Sequence, residues 1–449
     1  MSTIAAISTP YGTGGISVVR VSGENSIDIV QKIFKSHNGT KLSDMKTHTL
    51  VVGILFYNGN PLDEVVVSIF RGPKSYTGED IVQVSCHGGM YITKCVLRSL
   101  LDAGASMAGP GEFTKRAFIN GRMSLEKAES VMGLISSNYE KARNINFSTY
   151  CGSLNKKIDG IKNMLLNLLS NLNAEIDYST DDVPELSDDD IKIKLKNTKS
   201  EIDKLIKSYS TGYIVQNGLK TAIIGAPNVG KSTLMNLLSH REKSIVTDIA
   251  GTTRDAIEEH IILDDIPLVL IDTAGIRETE DKIEKIGAQK SKEIAEIADL
   301  ILLILDSSRD ITSDEISLLE SLKNKRMVIV INKIDLNPNY NCPVEFENVV
   351  FISAKNSVGL EELSEKIKKL IDFTPREEEN QIITTERQRD VLIRSLRSIE
   401  SIEEKIGTVP HDILTDLISG PLGILSEFTG ENIKDNIIDR VFSNFCVGK

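Results

Sequence analysis

Between residues 218 and 373, five apolar runs alternate with helical patterns: KTAIIG, IPLVLID, DLILLILD, RMVIVIN and VVFISA. A strand that is apolar at every position must be covered on both faces. Strands of that kind, separated by helices, build a mostly parallel sheet between two helical layers. No other stretch restricts the fold so strongly.

The flanking textures differ. Up to about residue 118 the chain reads as β segments, GISVVRVSG and HTLVVGILFYNGNPLDEVVVSIF, with a hairpin turn at Asn58 to Asn60 and a short amphipathic helix in NSIDIVQKIF. From about 122 to 213 the pattern is helical. Leu154, Ile158, Ile161, Leu165, Leu168, Leu172 and Ile176 recur every three or four positions, as one helix stripe requires. The acidic run around Pro184 breaks that helix, and Ser187 with three following aspartates starts the next. Helical texture returns after the α/β segment, with a capping box at Thr385 and Gln388 and a stripe of Leu392, Leu396, Ile399 and Ile406. So short a tail holds little core of its own and is expected to pack with residues 122–213. The expected class is multidomain α/β plus all-α. An N-terminal α+β domain (1–120) precedes a helical domain (121–215 and 376–449), which is interrupted by an inserted P-loop domain (216–375).

Composition excludes several function classes. The 449 residues suggest roughly two to four domains. Hydrophobic residues make up 40% and charged residues 26%, an ordinary globular balance. No run approaches the roughly 18 apolar residues of a membrane span, and the N-terminus lacks the layout of a secretory signal. The five cysteines show no metal spacing and fit free thiols in a reducing cytoplasm. A net charge of −12 argues against a sequence-blind grip on nucleic acid, though not against a local basic surface.

The chemistry is concentrated in the P-loop domain. GAPNVGKST (Gly225 to Thr233) lies between an apolar strand and a helical pattern, the context of a phosphate loop. Its glycines let backbone N–H groups face phosphate, Lys231 reaches the β and γ oxygens, and Ser232 is placed to ligate Mg2+. DTAG (Asp272 to Gly275) supplies a carboxylate for the magnesium shell and an amide for the γ-phosphate. In NKID (Asn332 to Asp335), Asp335 can accept the two adjacent N–H donors of guanine, which adenine does not present. SAK (Ser353 to Lys355) closes the base pocket, and GTTRD (Gly251 to Asp255) offers Thr253 as the second magnesium ligand. The nucleotide-contacting set is Asn228, Val229, Gly230, Lys231, Ser232 and Thr233, then Thr247, Asp248, Ile249, Ala250, Gly251, Thr252 and Thr253. It continues with Asp272, Thr273, Ala274, Gly275, Asn332, Lys333, Asp335, Ser353, Ala354 and Lys355. After DTAG, where many GTPases keep a water-orienting glutamine, stands Ile276, whose apolar side chain cannot do that work.

Over essentially its full length the chain resembles the MnmE (TrmE) family of tRNA-modification GTPases. The resemblance rests on VVRVSG, SYTGEDIVQVSCHGG, PGEFTKRAFINGRMSLEKAE, the P-loop set with GTTRD, and the terminal FCVGK. It implies a Ras-like GTPase domain activated by K+. Asn228 would coordinate that ion through its side chain, and the loop containing Thr247, Ile249 and Thr252 would add backbone carbonyls. Read alone, Asn228 is a variable loop position. A monovalent cation beside the β/γ bridge can neutralise developing charge as an arginine finger does elsewhere. The resemblance also names Glu284, twelve residues after Asp272, as the group that polarises the attacking water; read alone it is a solvated helix glutamate.

The resemblance further implies a folate-binding, dimer-forming N-terminal domain. Arg20, Glu79, Arg122 and the terminal Lys449 would contact a reduced folate, 5-formyl- or methylene-tetrahydrofolate. Cys446 would lie near the modification centre. His87 reads as a structural turn residue. The implied reaction installs an aminomethyl or carboxymethylaminomethyl group on carbon 5 of the tRNA wobble uridine. It is carried out as a homodimer together with an FAD-binding partner, MnmG (GidA), in a heterotetramer. YGTGGIS lacks dinucleotide-fingerprint spacing, so the flavin would come with the partner. The competing expectation is a ribosome-assembly GTPase without modification chemistry, whose RNA-binding GxxG loop would have to be GPLG (Gly420 to Gly423), which lacks basic residues. A stand-alone folate aminomethyltransferase is a third reading, and a poor one given the inserted P-loop domain.

Overall fold

In the computed structural model the described residues are 2–177, 186–241, 259–271, 294–338, 340, 347–371, 381–431 and 433–448. The chain packs as two compact units. One comprises Met1–Met132, Thr149–Ile158 and Ser419–Lys449; the other comprises Gly133–Ser148 and Asp159–Ile418.

The first unit is built on seven strands: β1 (Ile4–Ile7), β2 (Ile16–Ser22), β3 (Phe34–Ser36), β4 (Thr49–Tyr57), β5 (Asn60–Phe70), β6 (Ile81–His87) and β7 (Ser106–Met107). Their order is β3-β4-β5-β6-β2-β1-β7. Only the β1–β7 pairing is parallel. Asn58 and Gly59 both have positive φ, as a two-residue hairpin turn between right-twisted strands needs, so the expected turn joins β4 to β5. Because strand side chains alternate, β2 and β5 divide their residues between two faces. One face packs Val19, Val67 and Val84 against the helices Ser26–Ile33 and Met90–Asp102, through Ile29, Val30, Val96 and Leu100. The other face carries Ile4, Ala6 and Tyr76, with Phe113 from the helix Glu112–Ile119. The C-terminal helix Asp435–Ser443 belongs to this unit, where Ile438 and Phe442 pack with Leu125 and Ala128.

The second unit holds β8 (Leu219–Gly225), β9 (Glu259–Leu263), β10 (Ile266–Leu270), β11 (Leu300–Asp306), β12 (Met327–Asn332) and β13 (Val349–Phe351). Their order is β13-β12-β11-β8-β10-β9, parallel except for the β9–β10 hairpin. All seven residues of β11 are buried, as a strand covered on both faces must be. Leu302 and Ile304 enter one core while Ile301 and Leu303 enter the other. The expected parallel sheet is therefore present, with one antiparallel edge.

The helical elements follow the sequence with three differences, one being that Ile406 of the expected stripe lies beyond the end of its helix at Glu403. Ser153–Asp177 buries the expected stripe from Leu154 to Leu172, but Ile176, near its end, is exposed. Ser187 caps Asp188–Asn217 by accepting from the Asp190 N–H. Thr385 caps Glu386–Glu403 in the same way, yet Gln388 returns its bond to the Thr384 N–H rather than to that of Thr385. Those two helices lie side by side, joined by Lys199 to Glu403 at 2.7 Å. GPLG is not a loop. Gly420 to Gly423 lie inside the helix His411–Thr429, with Pro421 in its interior, so the segment has no KH-type clamp.

Candidate functional site

β8 ends at Gly225, where β11 runs so close beside it that a Cβ would lie 2.5 Å from the Ile304 carbonyl oxygen. The chain then turns through residues 226–230 into the helix Lys231–Arg241. Asn228 (φ +62°) and Gly230 (φ +100°) adopt left-handed or mirror-extended backbone within three residues. Such reversals turn successive N–H groups to one side and form an anion cradle at a helix N-terminus. The Lys231 ammonium donates to the Gly225 and Ala226 carbonyls at 2.8 and 2.7 Å, folded back over the loop. Burial holds its pKa below the ordinary lysine value, and a bound phosphate would offset that loss of hydration. Ser232 and Thr233 are exposed on the first turn.

The base side is assembled from the ends of β12 and β13. Buried Asn332 donates from Nδ2 to the Val229 carbonyl at 2.9 Å, and its Oδ1 accepts from the Ala354 N–H at 3.0 Å. One amide therefore ties the phosphate loop, NKID and SAK together. The Asp335 carboxylate accepts from the Ser353 hydroxyl at 2.6 Å and is exposed. Lys333 (φ +65°) donates to the Asn228 carbonyl at 2.7 Å and to the Asp306 carboxylate at 2.6 Å.

In the first unit, Arg20 on β2 stands opposite Gln83 on β6. With the Gln83 amide turned to match, its oxygen accepts from Arg20 Nε and Nη2 at 3.2 Å each. The guanidinium also lies 5.5 Å from the ring centres of Tyr76 and Phe113. Burial lowers its pKa, with Tyr76 opposing. A cavity of about 370 Å3 opens beside it, lined by His48, Phe70, Lys74, Tyr76, Gln83 and Arg122 among others. That volume lies in the range of small-molecule sites. Glu79 is already engaged: it accepts from the Ser22 hydroxyl at 2.8 Å and from Arg116 Nη1 at 3.1 and 3.2 Å. Arg116, only 4% exposed, also holds Glu112 at 2.8 Å.

The C-terminal segment threads into the same unit. Val447 bridges Pro110, the Gly111 N–H donates to the Cys446 carbonyl at 3.3 Å, and the Ser8 hydroxyl donates to the Gly448 carbonyl at 3.1 Å. Gly448 has φ +96°, and a Cβ there would meet the Ile7 carbonyl oxygen at 2.1 Å, so only glycine fits. Cys446 is an exposed free thiol.

The family model described as the MnmE helical domain matches residues 125–446, and the GTP-binding protein TrmE N-terminus model matches residues 3–122. The tRNA modification GTPase MnmE of Alkaliphilus oremlandii is 42% identical over 459 residues, covering 100% of this chain and 99% of that one. Its counterparts in Lactobacillus gasseri and Lactobacillus acidophilus are each 41% identical and cover 100% of this chain and 98% of theirs. The chain belongs to the MnmE family of tRNA modification GTPases.

Of the residues expected to form the MnmE-family nucleotide site, the structure brings together Asn228 through Thr233, Asn332, Lys333, Asp335, Ser353 and Ala354. Lys355 follows Ala354 and is exposed. Thr247 to Thr253, Asp272 to Gly275, Glu284 and Lys449 lie outside the described residues. Arg20 and Arg122 share one neighbourhood through Gln83 and the cavity, while Glu79 faces Arg116. Sequence reasoning missed Asp306, Gln83 and Arg116. Asp306 was visible only as the charged last residue of DLILLILD, and the other two carry no motif. Among the described residues no group of three or more His, Cys, Asp or Glu could hold a metal, and no helix is long and apolar enough to cross a membrane.

Proposed function

We propose that this chain is a potassium-activated GTPase that acts as a homodimer in the cytoplasm. With an FAD-binding MnmG (GidA) partner it would install an aminomethyl or carboxymethylaminomethyl group at carbon 5 of the tRNA wobble uridine. The observation that carries this reading is the match along the whole of both chains. The phosphate loop, the cavity beside Arg20 and the anchored Cys446–Gly448 segment thus come as one set.

GTP fits the described residues. Residues 226–230 form a backbone cradle at a helix N-terminus, Lys231 lies over it, and Asp335 is set for guanine. Ser232, with Thr253, would hold Mg2+, which would balance phosphate charge when bound. Asn228, with the carbonyls of Thr247, Ile249 and Thr252, would hold K+, which would neutralise charge at the β/γ bridge. Glu284 would polarise the attacking water, and Asp272 with Gly275 would read the γ-phosphate. In the first unit Arg20, Arg122 and Lys74 offer cations to the acidic tail of a reduced folate, and Tyr76 and Phe70 offer apolar faces to its ring. Glu79 joins them as a folate contact only if it keeps an oxygen turned from Arg116. Cys446 and Lys449 would complete that end of the chemistry.

The test is GTP turnover in potassium against sodium, for the wild type, Asn228→Ala and Glu284→Ala. The reading expects potassium stimulation that Asn228→Ala loses, and a Glu284→Ala variant that binds GTP but turns over slowly. Equal rates in both salts would remove the potassium mechanism. For the modification itself, tRNA nucleosides from a deletion strain should lose the wobble-uridine group. Unchanged nucleosides with a ribosome defect would favour the ribosome-assembly reading instead.

A further inference from the structure

Lys333 is the lysine of NKID, and its ammonium donates to the Asn228 carbonyl of the phosphate loop, 2.7 Å away. It is held there by the carboxylate that ends the neighbouring strand. Asp306 and Asn332 are register partners on β11 and β12, so Lys333 follows directly beside Asp306. One Asp306 oxygen takes the Lys333 ammonium at 2.6 Å; the other accepts from the Ser308 N–H at 2.9 Å and the Ser308 hydroxyl at 2.7 Å. The loop after Asp306 is fixed as well, because the Ser307 N–H donates to the Asn332 carbonyl and Asn337 donates to the Ser307 carbonyl, both at 3.0 Å. The Asp306 side chain is only 7% exposed. A carboxylate desolvated to that degree is costly unless it is paired and hydrogen-bonded, and here both oxygens are satisfied.

We propose that Asp306 is a positioning residue of the nucleotide site: it fixes and neutralises Lys333, which in turn pins the left-handed turn of the phosphate loop at Asn228. The inference rests on the potassium reading above for its consequence. Asn228 has φ +62°, an unfavourable backbone for a β-carbon residue, and the ammonium bonded to its carbonyl helps hold it there. A cation held by Asn228 would share that residue with the ammonium bonded to its carbonyl. With Asp306 ionised the Lys333–Asp306 pair is neutral as a whole. Without that carboxylate, the Lys333 charge repels an incoming monovalent cation at short range through a partly buried medium.

The experiment compares wild type, Asp306→Asn and Ser308→Ala for the potassium concentration giving half-maximal GTP turnover, for kcat at saturating potassium, for GDP affinity, and for thermal midpoint. Asp306→Asn keeps the shape and removes the charge. Its half-activating potassium should rise about tenfold, equivalent to about 1.4 kcal/mol, while kcat at saturation stays near wild type. Ser308→Ala removes a bond but keeps the carboxylate, and should leave the potassium dependence unchanged even where the midpoint falls. A merely structural role predicts that both variants shift the midpoint and neither shifts the half-activating concentration; that result overturns the proposal. Should Asp306→Asn fail to fold, Asp306→Ser, which also removes the charge and leaves Lys333 in place, reads the same quantity: the proposal then requires the same rise in half-activating potassium, and an unchanged value overturns it. If the wild type itself turns over equally in sodium and potassium, the potassium reading is lost and GDP affinity becomes the arbiter. Unchanged affinity in Asp306→Asn then overturns the positioning role as well.

Discussion

Asn332 and Gly230 pack so closely that a Cβ on Gly230 would lie 2.2 Å from the Asn332 Nδ2 atom. The same Nδ2 donates to the Val229 carbonyl, so the amide that ties the base side to the phosphate loop occupies the space a side chain would need. With φ at +100°, position 230 disfavours other residues on backbone grounds as well. Gly230→Ala should therefore displace Asn332 and cost about 1–3 kcal/mol of stability, from strain and lost hydrogen bonds. Guanine-nucleotide affinity should fall in parallel. Titration with a fluorescent GDP analogue alongside thermal melting checks both, and a variant binding GDP like wild type would show that the contact is not needed.

Asp335 is set by the Ser353 hydroxyl, which an asparagine oxygen accepts equally well. Asp335→Asn should thus fold normally while exchanging one acceptor for a donor at the base edge. Affinity for GTP should drop about a hundredfold, the ~2.7 kcal/mol of one lost charge-assisted bond, and affinity for xanthosine triphosphate should rise. Competition between the two nucleotides measures the exchange directly. A variant that still prefers GTP would place guanine recognition elsewhere.

Arg116 neutralises two carboxylates, Glu79 and Glu112, while only 4% exposed. Arg116→Met keeps much of the volume but leaves those carboxylates without their cation. Breaking a buried pair from one side costs about 3–5 kcal/mol, so the urea midpoint should fall sharply. Adding Glu79→Gln should recover part of the loss, because one stranded charge is removed. No recovery would mean that Arg116 stabilises through packing alone.

Asp306 carries a pH signature. Its burial favours the neutral acid, but the bonds from Lys333 and Ser308 outweigh this and hold its pKa below the ordinary 3.8. For a carboxylate with a depressed folded value, the stabilisation is present in full above the unfolded value and lost as pH falls through the folded one. The melting-temperature gap between wild type and Asp306→Asn should therefore hold from about pH 6 down to about pH 4 and close only below that. A gap that does not vary with pH would assign the difference to shape rather than charge.

Much of this protein was legible in its residues. The five apolar runs specified a two-sided parallel sheet, since a strand without polar positions has no face to give to water. GAPNVGKST, NKID and SAK specified guanine-nucleotide chemistry through local backbone and donor–acceptor rules, and Asn58 with Gly59 specified a hairpin by φ alone. Each of these depends on neighbours a few positions apart. Tertiary structure decided what depends on approach from afar. It brought Asp306 beside Lys333 by the register of β11 and β12, Gln83 opposite Arg20 by that of β2 and β6, and Arg116 beneath Glu79. It also set Val447 beside Pro110 and Gly448 against Ile7, where there is no room for a Cβ, and drew GPLG into a helix. A carboxylate's partner is chosen by whichever charge the fold delivers within hydrogen-bond reach. Spacing along the chain carries no record of that distance.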